Sequence, residues 1–253
     1  MKIVSLNIRH GGGKRVSLIL DQLSKYDSDV IVLTEYRENQ NAEYIRERLW
    51  NEGYKWQASG TIKRKLNSVF VTSRKKFISS VINKLPEDYK HRLLRIQFND
   101  FNLIAAYFPL NKEKRPVFDY ILRDGIDFLG NNGLIIGDFN TGKHYIDEKG
   151  KTFYCSEYFD KFNEASLIDS WRSRKHNEKE YSWYSNVGNG FRIDHAFSTP
   201  NLDRLITNVH YSYVERENGL SDHLTIFNHF GDLRKVEIKI FLIISCFTSC
   251  RFF

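Results

Sequence analysis

Polar residues that could bind a metal ion or move a proton follow several strand-like runs of this sequence. They are Asn7, Glu35, Asp138, Asn140, Asp194, Asp222 and His223. Strand ends are where α/β folds present reactive groups, because the sheet fixes their positions and the loops leave room for a substrate. Carboxylates and carboxamides offer mostly oxygen ligands, which suit Mg²⁺ or Mn²⁺ better than Zn²⁺. We therefore expect a hard-cation site.

Each of these residues also has an ordinary structural alternative. An Asp or Asn after a strand commonly forms a turn or caps a helix. The segment GDFN at 137–140 is more specific, because an Asp-x-Asn pair on extended backbone places both side chains on the same side. The complete set, in this order, is more specific than any of its members.

Hydrophobic periodicity predicts the elements that position these residues. Strands are predicted at 2–8, 29–35, 68–73, 77–82, 93–98, 101–107, 133–140, 181–185, 190–199, 208–214 and 224–230, and helices near 16–23, 41–50, 117–129 and 157–166. Buried strands alternating with amphipathic helices predict an α/β fold with mixed sheets flanked by helices. We find no internal linker and no repeat of fixed period, so one catalytic domain is expected over residues 1–232.

Residues 233–253 are predicted to form an apolar C-terminal tail. Its apolar stretch at 240–247 is too short to cross a bilayer, which needs roughly 20 apolar residues. The tail could bind a membrane surface or a partner, or it could be a non-native, disordered extension, as from a shifted reading frame. We favour the extension.

The bulk composition gives weaker indications. The net charge of +7 and the pI of about 9.2 favour polyanionic partners such as nucleic acid or anionic lipid, although an ordinary solvated surface accounts for them equally well. Three cysteines without a CxxC pair favour a reducing cytoplasm. The N-terminal run lacks the apolar region of a secretory signal. A cytoplasmic monomer without stable membrane insertion is expected.

Seven segments together resemble the successive motifs of the endonuclease/exonuclease/phosphatase superfamily. They are SLNIRH, LTEYR, AAYFP, IIGDFN, YSWYS, FRIDHAF and GLSDH. They are most similar to its exodeoxyribonuclease III and apurinic/apyrimidinic (AP) endonuclease branch, and the resemblance runs from Lys2 to about Phe230. It implies a four-layer α/β sandwich, in which two mixed sheets pack face to face with helices outside.

The resemblance implies a role for each matched residue near the metal. Glu35 corresponds to the principal Mg²⁺ ligand, with Asn7 beside it. Asp222 lies where the family has a further acidic group near the metal. A cation held there would neutralise charge that develops on the leaving 3′-oxygen.

The resemblance also implies the residues that act on the phosphate. Asp138 corresponds to the carboxylate that activates the attacking water, and Asn140 to a residue that holds that water and a phosphate oxygen. His223 corresponds to an imidazole that binds the non-bridging oxygens, and Asp194 to its orienting carboxylate. Tyr107 corresponds to a tyrosine that contacts the phosphate or supports the leaving group.

Three residues are expected to contact the substrate. Trp183 resembles an aromatic beside the sugar pocket, and Arg92 lies near the position of a phosphate-contacting arginine. Arg64, in the basic turn at 63–65, is a candidate phosphate contact, although lysine-rich turns are commonly just solvated. Tyr107 favours the AP endonuclease branch, because the DNase I-like and sphingomyelinase-like branches tend to carry histidine there. It could also be a packed aromatic before a proline turn.

The chain departs from the AP endonuclease pattern between Asp138 and Trp183. This span is shorter than usual, and the family uses it to enter the DNA grooves. Its aromatic residues could stack bases, but Tyr158, Phe159 and Phe162 have helical spacing, and we expect them to face the core.

The sequence is compatible with three functions. An Mg²⁺-dependent nuclease of the AP endonuclease or 3′-exonuclease kind, acting on double-stranded DNA, is the leading hypothesis. A phosphodiesterase or phosphatase for a small or lipid phosphate is the second, favoured by the short DNA-facing span and the apolar tail. A silent nucleic-acid-binding module is disfavoured, because a polyanion binder gains nothing from clustered carboxylates.

Overall fold

The buried apolar runs of the sequence form the strands of two sheets. A computed structural model describes residues 1–60, 66–80, 82–176 and 178–233. The strands are β1 (Lys2–Asn7), β2 (Val30–Tyr36), β3 (Trp56–Ser59), β4 (Ser68–Ser73), β5 (Ile78–Ser80), β6 (Leu93–Gln97), β7 (Asn102–Tyr107), β8 (Gly133–Asp138), β9 (Ile168–Asp169), β10 (Trp183–Tyr184), β11 (Gly190–Phe191), β12 (Asp194–Ser198), β13 (Ile206–Ser212) and β14 (Thr225–Phe230).

The helices connect these strands. They are α1 (Val16–Lys25), α2 (Gln40–Asn51), α3 (Arg115–Tyr120), α4 (Ile126–Leu129), α5 (Tyr158–Glu164), α6 (Arg172–Lys175), α7 (Pro200–Asp203) and α8 (Val214–Glu217). The side chain of Asn39 accepts a hydrogen bond from the Asn41 backbone and so caps α2. A π-helical turn, Ile121–Gly125, joins α3 to α4.

The two six-stranded sheets are mixed. The first has the order β13-β14-β1-β2-β4-β3 and the second β5-β6-β7-β8-β12-β9, while β10 and β11 form a small hairpin. Within the first sheet β1 and β2 are parallel, and within the second β7 and β8 are parallel. The other pairings are antiparallel.

Three buried clusters show how the layers stack. One contains residues of both sheets, such as Val32 and Ile136, and forms the core between them. A second joins the first sheet to α1 and α2, and a third joins the second sheet to α3 and α5. The order of layers is therefore helices, sheet, sheet, helices, and the predicted four-layer sandwich is confirmed.

Strand register brings the ends of the central strands to one edge of the sandwich. In the first sheet the last residue of β1, Asn7, lies beside Thr34 near the end of β2. In the second sheet Tyr107 lies beside Asp138, and Asp138 is paired with Asp194. The edge thus collects residues that are far apart in the sequence.

Some features differ from, or lie beyond, the sequence predictions. The strands β3 and β9 were not predicted individually. Tyr158, Phe159 and Phe162 are buried in the core below the second sheet, as expected. The predicted tail lies outside the described residues except for Leu233, which packs into the central core. Across the described ranges, every helix is too short or too polar to traverse a membrane.

Candidate active site

The amide of Asn7 links the two sheets at this edge. Asn7 is fully buried, and its Nδ2 donates to Oδ2 of Asp138 over 2.9 Å and to Oε1 of Glu35 over 3.2 Å. Glu35 belongs to the first sheet and Asp138 to the second. One carboxamide therefore holds a carboxylate from each sheet, and both carboxylates face the same small space.

Glu35 is presented by an irregularity at the end of β2. The pairing of β2 with β4 shifts between Thr34 and Tyr36, and Glu35 has a φ of 54°. A non-glycine residue in this left-handed region is strained, and such strain is concentrated at functional sites. The second carboxylate oxygen, Oε2, accepts from the backbone of His10 and from Nδ2 of Asn67, each over 3.0 Å.

Asp138 depends on the glycine before it. A Cβ on Gly137 would lie 1.9 Å from the carbonyl oxygen of Ala106, so only glycine allows β7 and β8 to approach this closely. Asp138 itself is 1% exposed, and its Oδ1 accepts a 2.8 Å hydrogen bond from the backbone of Asn140. The Asn140 side chain donates from Nδ2 to the carbonyl of Phe108 over 2.8 Å. This hydrogen bond uses the amide nitrogen of the side chain and does not involve its Oδ1.

Burial is the main reason why the Asp138 carboxyl is an unusually weak acid. Burial raises the pKa of this carboxyl, and the charge of Asp194 raises it further. The charge of His223 and the hydrogen bonds from Asn140 and Asn7 partly offset these two effects, and the resulting pKa is about 7. A base with a pKa near the working pH is well matched to accept a proton from water.

His223 is held against Asp194, the strand partner of Asp138. Nδ1 of His223 lies 2.8 Å from Oδ2 of Asp194, and both side chains are buried. The loop before β14 is fixed because Oγ of Ser221 donates to the Asn7 carbonyl over 2.6 Å and accepts from the His223 backbone over 3.1 Å. Since Nδ1 is engaged by Asp194, Nε2 is the ring nitrogen that remains for a substrate.

The charge state of His223 follows from its neighbours. Burial lowers the pKa of its ring, but the charge and the hydrogen bond of Asp194, followed by the charges of Asp138 and Asp222, raise the value to about 10. The ring is therefore an imidazolium at neutral pH. A buried cation beside a potential base is suited to bind and neutralise a phosphate group.

This arrangement agrees with the family comparison. Residues 4–223 match the sequence model of the Endonuclease/Exonuclease/phosphatase family. The chain belongs to this family. A search of curated protein sequences finds no match.

Solved structures share the family's fold with this chain. The 3′ phosphatase NExo from Neisseria, bound to a product DNA hairpin, is 19% identical with a TM-score of 0.80. The 3′-5′ exonuclease NExo from Neisseria meningitidis is 20% identical with a TM-score of 0.79. An AP endonuclease from Archaeoglobus fulgidus is 20% identical with a TM-score of 0.75. Each alignment covers 92% of this chain and 100% of the other.

Tyr107 and Arg92 lie together at the wall of the site. The Arg92 guanidinium carbon is 4.9 Å from the centre of the Tyr107 ring. Burial, followed by the charges of Glu35 and Asp138, raises the pKa of Tyr107 to about 12, so its hydroxyl keeps its proton at neutral pH. Nε of Arg92 is buried without a hydrogen-bond partner among the described residues, so one donor of this guanidinium is unused.

Asp222, the residue before His223, contacts Trp183 and Arg9. Nε1 of Trp183 lies 3.2 Å from Oδ2 of Asp222, and Nε of Arg9 lies 3.1 Å from Oδ1. Trp183 also packs against Phe191 across the β10–β11 hairpin, with ring centres 5.7 Å apart. Trp183 is thereby tied to Asp222 at the rim of the site.

His195 points to the opposite face of β12 from Asp194, and its Nε2 lies 2.9 Å from the carbonyl oxygen of Thr141. Arg64 lies outside the described residues.

Sequence reasoning missed Asn67. Its Nδ2 lies within 3.0 Å of Oε2 of Glu35 and 3.4 Å from the Tyr107 hydroxyl, and its Oδ1 accepts from Nε of Arg37. The available signal was its position directly before β4, the neighbour of β2. Asn67 therefore orients two predicted site residues at once.

The donor set fits a divalent cation of the kind on which this family generally depends. Glu35 and Asp138 both accept from the Asn7 amide, and Asp222, the residue before His223, has a partly exposed side chain whose Oδ1 lies 3.1 Å from Nε of Arg9. Ligating atoms of Asp138, Asp194 and His223 also lie within 4.8 Å of one another. Because Asp194 occupies Nδ1 of His223, we interpret those three as the proton-handling group.

Proposed function

We propose that this chain is an Mg²⁺-dependent nuclease that hydrolyses phosphoester bonds in DNA, of the AP endonuclease or 3′-exonuclease kind. The observation that carries the proposal is the convergence, at one sandwich edge, of the Asn7-linked carboxylates and the Asp194–His223 pair. The DNA-bound and DNA-processing proteins that share the fold support this choice of substrate.

Glu35, Asn7 and Asp222 are the residues that would hold Mg²⁺, with Mn²⁺ as the substitute of similar chemistry. The ion would supply positive charge to the phosphate and the leaving oxygen. Asp138 contributes the acceptor for the proton of the attacking water, since its pKa lies near neutrality. Asn140 orients that water and one phosphate oxygen through its side-chain Oδ1.

His223 binds the non-bridging oxygens of the phosphate through the proton on Nε2. Asp194 keeps the ring charged and fixes its orientation through Nδ1. Tyr107 presents a protonated hydroxyl to the phosphate or the leaving group. Trp183, Arg92 and Arg64 are proposed as contacts to the sugar and to the DNA backbone.

The substrate is tested with purified full chain and three labelled molecules. They are a duplex with one abasic analogue, a duplex with a recessed 3′ end, and a small chromogenic phosphodiester. With Mg²⁺ we expect incision at the abasic site or degradation from the 3′ end. Hydrolysis of the small ester with both duplexes intact would instead establish a phosphodiesterase for small or lipid phosphates. A monomer in the cytoplasm and a catalytic domain over residues 1–232 remain predictions.

A further inference from the structure

Arg9 forms an ion pair with Asp222, one of the three residues proposed to hold the metal ion. Nε of Arg9 lies 3.1 Å from Oδ1 of Asp222. The other carboxylate oxygen, Oδ2, accepts a hydrogen bond from Nε1 of Trp183 over 3.2 Å. Both oxygens of Asp222 therefore face donors of the protein, and a cation that binds this carboxylate must compete with Arg9.

The backbone of Arg9 is held in an unfavourable conformation. Its φ is 54°, and that of the next residue, His10, is 55°. This left-handed region is unfavourable for residues that carry a Cβ, and it persists where the surroundings impose it. The Arg9 N–H donates to Oδ1 of Asn7 over 2.9 Å, and its carbonyl accepts from the Gly12 backbone over 3.2 Å. The Arg9 side chain therefore starts from a fixed position beside the site.

Arg15 ties this turn to the loop that carries Asp222. Its guanidinium donates through Nη1 to the Leu220 carbonyl and through Nη2 to the Arg9 carbonyl over 3.4 Å. The contact between Arg9 and Asp222 is thus part of a braced junction. Even so, the two side chains are 49% and 40% exposed, so both solvent and an incoming ligand can reach the pair.

An ion pair with this exposure is weak, because water screens it and both side chains lose freedom when they form it. Two ligands of the proposed reaction can therefore separate it. A divalent cation attracts the Asp222 carboxylate more strongly than a guanidinium does, since its charge is twice as large. A phosphate group is a good partner for the released guanidinium, because the two can form paired charge-assisted hydrogen bonds.

We propose that Arg9 competes with the metal ion for Asp222, and that a phosphate group of the DNA substrate ends this competition by binding the Arg9 guanidinium. Metal and substrate then bind cooperatively, because each favours the arrangement in which Arg9 has left Asp222, and this coupling is reciprocal. Arg9 thus makes completion of the metal site depend on bound substrate. This inference rests on the proposed function, which places Asp222 at the metal.

The first test measures metal affinity without substrate. Mn²⁺ is titrated into the full-length wild type, Arg9→Met, Arg9→Lys and Arg123→Met, and the free ion is followed by electron paramagnetic resonance. Arg123 is the matched control, because it is exposed and pairs with Asp124 over 2.7 Å. Arg9→Met should lower the Kd for Mn²⁺ by about 5- to 10-fold, the effect of a unit charge several ångströms from a divalent ion in a water-like dielectric.

The other proteins and a higher salt concentration show whether charge is the cause. Arg9→Lys keeps the charge, so its Kd for Mn²⁺ should stay close to that of the wild type, as should that of Arg123→Met. In 1 M KCl the difference between the wild type and Arg9→Met should shrink, because salt screens charges that are exposed to solvent. A difference that persists unchanged at high salt would contradict competition by charge.

The second test measures the coupling to substrate. The titration is repeated with and without a duplex that carries one abasic analogue, in the Asp138→Asn background so that cleavage is slow. The duplex should lower the Kd for Mn²⁺ of Asp138→Asn by a factor about 5 to 10 times larger than in the Arg9→Met, Asp138→Asn double variant. Without Arg9 the competition is already absent, so the duplex has less to relieve.

An equal effect of the duplex in the two backgrounds would overturn the inference. Equal Mn²⁺ affinities of the wild type and Arg9→Met would also overturn it, and a weaker affinity in Arg9→Met would show that Arg9 supports the metal site. The proposed function fails separately, if wild type that binds Mn²⁺ leaves both the abasic and the recessed duplex uncut. The first test still decides the competition in that case, because it requires neither DNA nor turnover.

Discussion

Nδ1 of His223 and Oδ2 of Asp194 lie 2.8 Å apart in the interior of the protein, although 28 residues separate them in the sequence. Asp194 begins β12, and His223 lies in the loop that leads into β14 of the other sheet. The contact therefore crosses between the two sheets. It fixes which ring nitrogen faces the site and keeps the ring charged.

Replacing Asp194 tests this pairing. Its charge and hydrogen bond raise the pKa of His223, so Asp194→Asn should lower that pKa, and the ring should lose its proton well below the wild-type value of about 10. The alkaline decline of kcat/KM should begin at lower pH, and the rate near neutral pH should fall by roughly 10²- to 10⁴-fold. A pH–rate profile measures both effects. The control is Asp160→Asn, an exposed residue that pairs with Lys143. An unchanged alkaline limb would show that Asp194 does not govern His223.

Replacing Asp138 is expected to change how the stability of the fold depends on pH. The folded-state pKa of Asp138 is raised from 3.8 to about 7, so this group stabilises the fold at acidic pH, and the contribution is lost as pH rises through 7. In Asp138→Asn no carboxyl titrates at this position, so this loss of stability with rising pH does not occur. Its Tm in EDTA, relative to wild type, should therefore be higher at pH 8 than at pH 5. A relative Tm that stays constant or falls with pH would contradict the assignment of a raised pKa.

Glu35 is expected to govern the affinity for the metal ion. Glu35→Gln keeps the shape of the side chain but removes the charge, so half-maximal activity should require about 10- to 100-fold more Mg²⁺. Titration of activity and of Tm with Mg²⁺ measures the change. Glu38→Gln is the matched control, three residues along the chain, because Glu38 pairs with Arg46. If both variants respond to Mg²⁺ like the wild type, Glu35 is not a ligand.

The tail after Leu233 is expected to be dispensable. Leu233 is buried in the central core and should be kept. If residues 234–253 are a non-native extension, their removal should leave kcat/KM on DNA within about twofold and Tm within a few degrees of the full chain. A large loss of activity with an unchanged Tm would instead assign the tail to substrate binding.

The sequence predicts the central strands well because they are buried on both faces. Runs such as 30–33 and 133–137 are apolar and are followed directly by polar residues, which is a strong local signal. In contrast, β3 consists of half-exposed residues without alternation, and β9 has two residues. Their strand conformation is imposed by neighbouring strands and leaves no trace in local periodicity.

The site is predictable where a motif surrounds the residue. Asn7, Glu35 and Asp138 lie at the ends of recognisable strands and His223 lies just before one, and the structure brings them to one edge. Asn67 has no such motif. Its role depends on the register shift beside Glu35, which is a property of two paired strands and cannot be read from either alone.

The central claim is that one cation-dependent site, with Asp138 as its base, hydrolyses DNA phosphoesters. The most direct measurement is the single-turnover rate on the best DNA substrate for wild type and Asp138→Asn, each in Mg²⁺ and in EDTA. We predict cleavage by the wild type in Mg²⁺, none in EDTA, and a rate for the variant lower by roughly 10²- to 10⁴-fold. Asp138→Asn that cleaves at a rate close to the wild type, or wild type that cleaves equally well in EDTA, would contradict the claim.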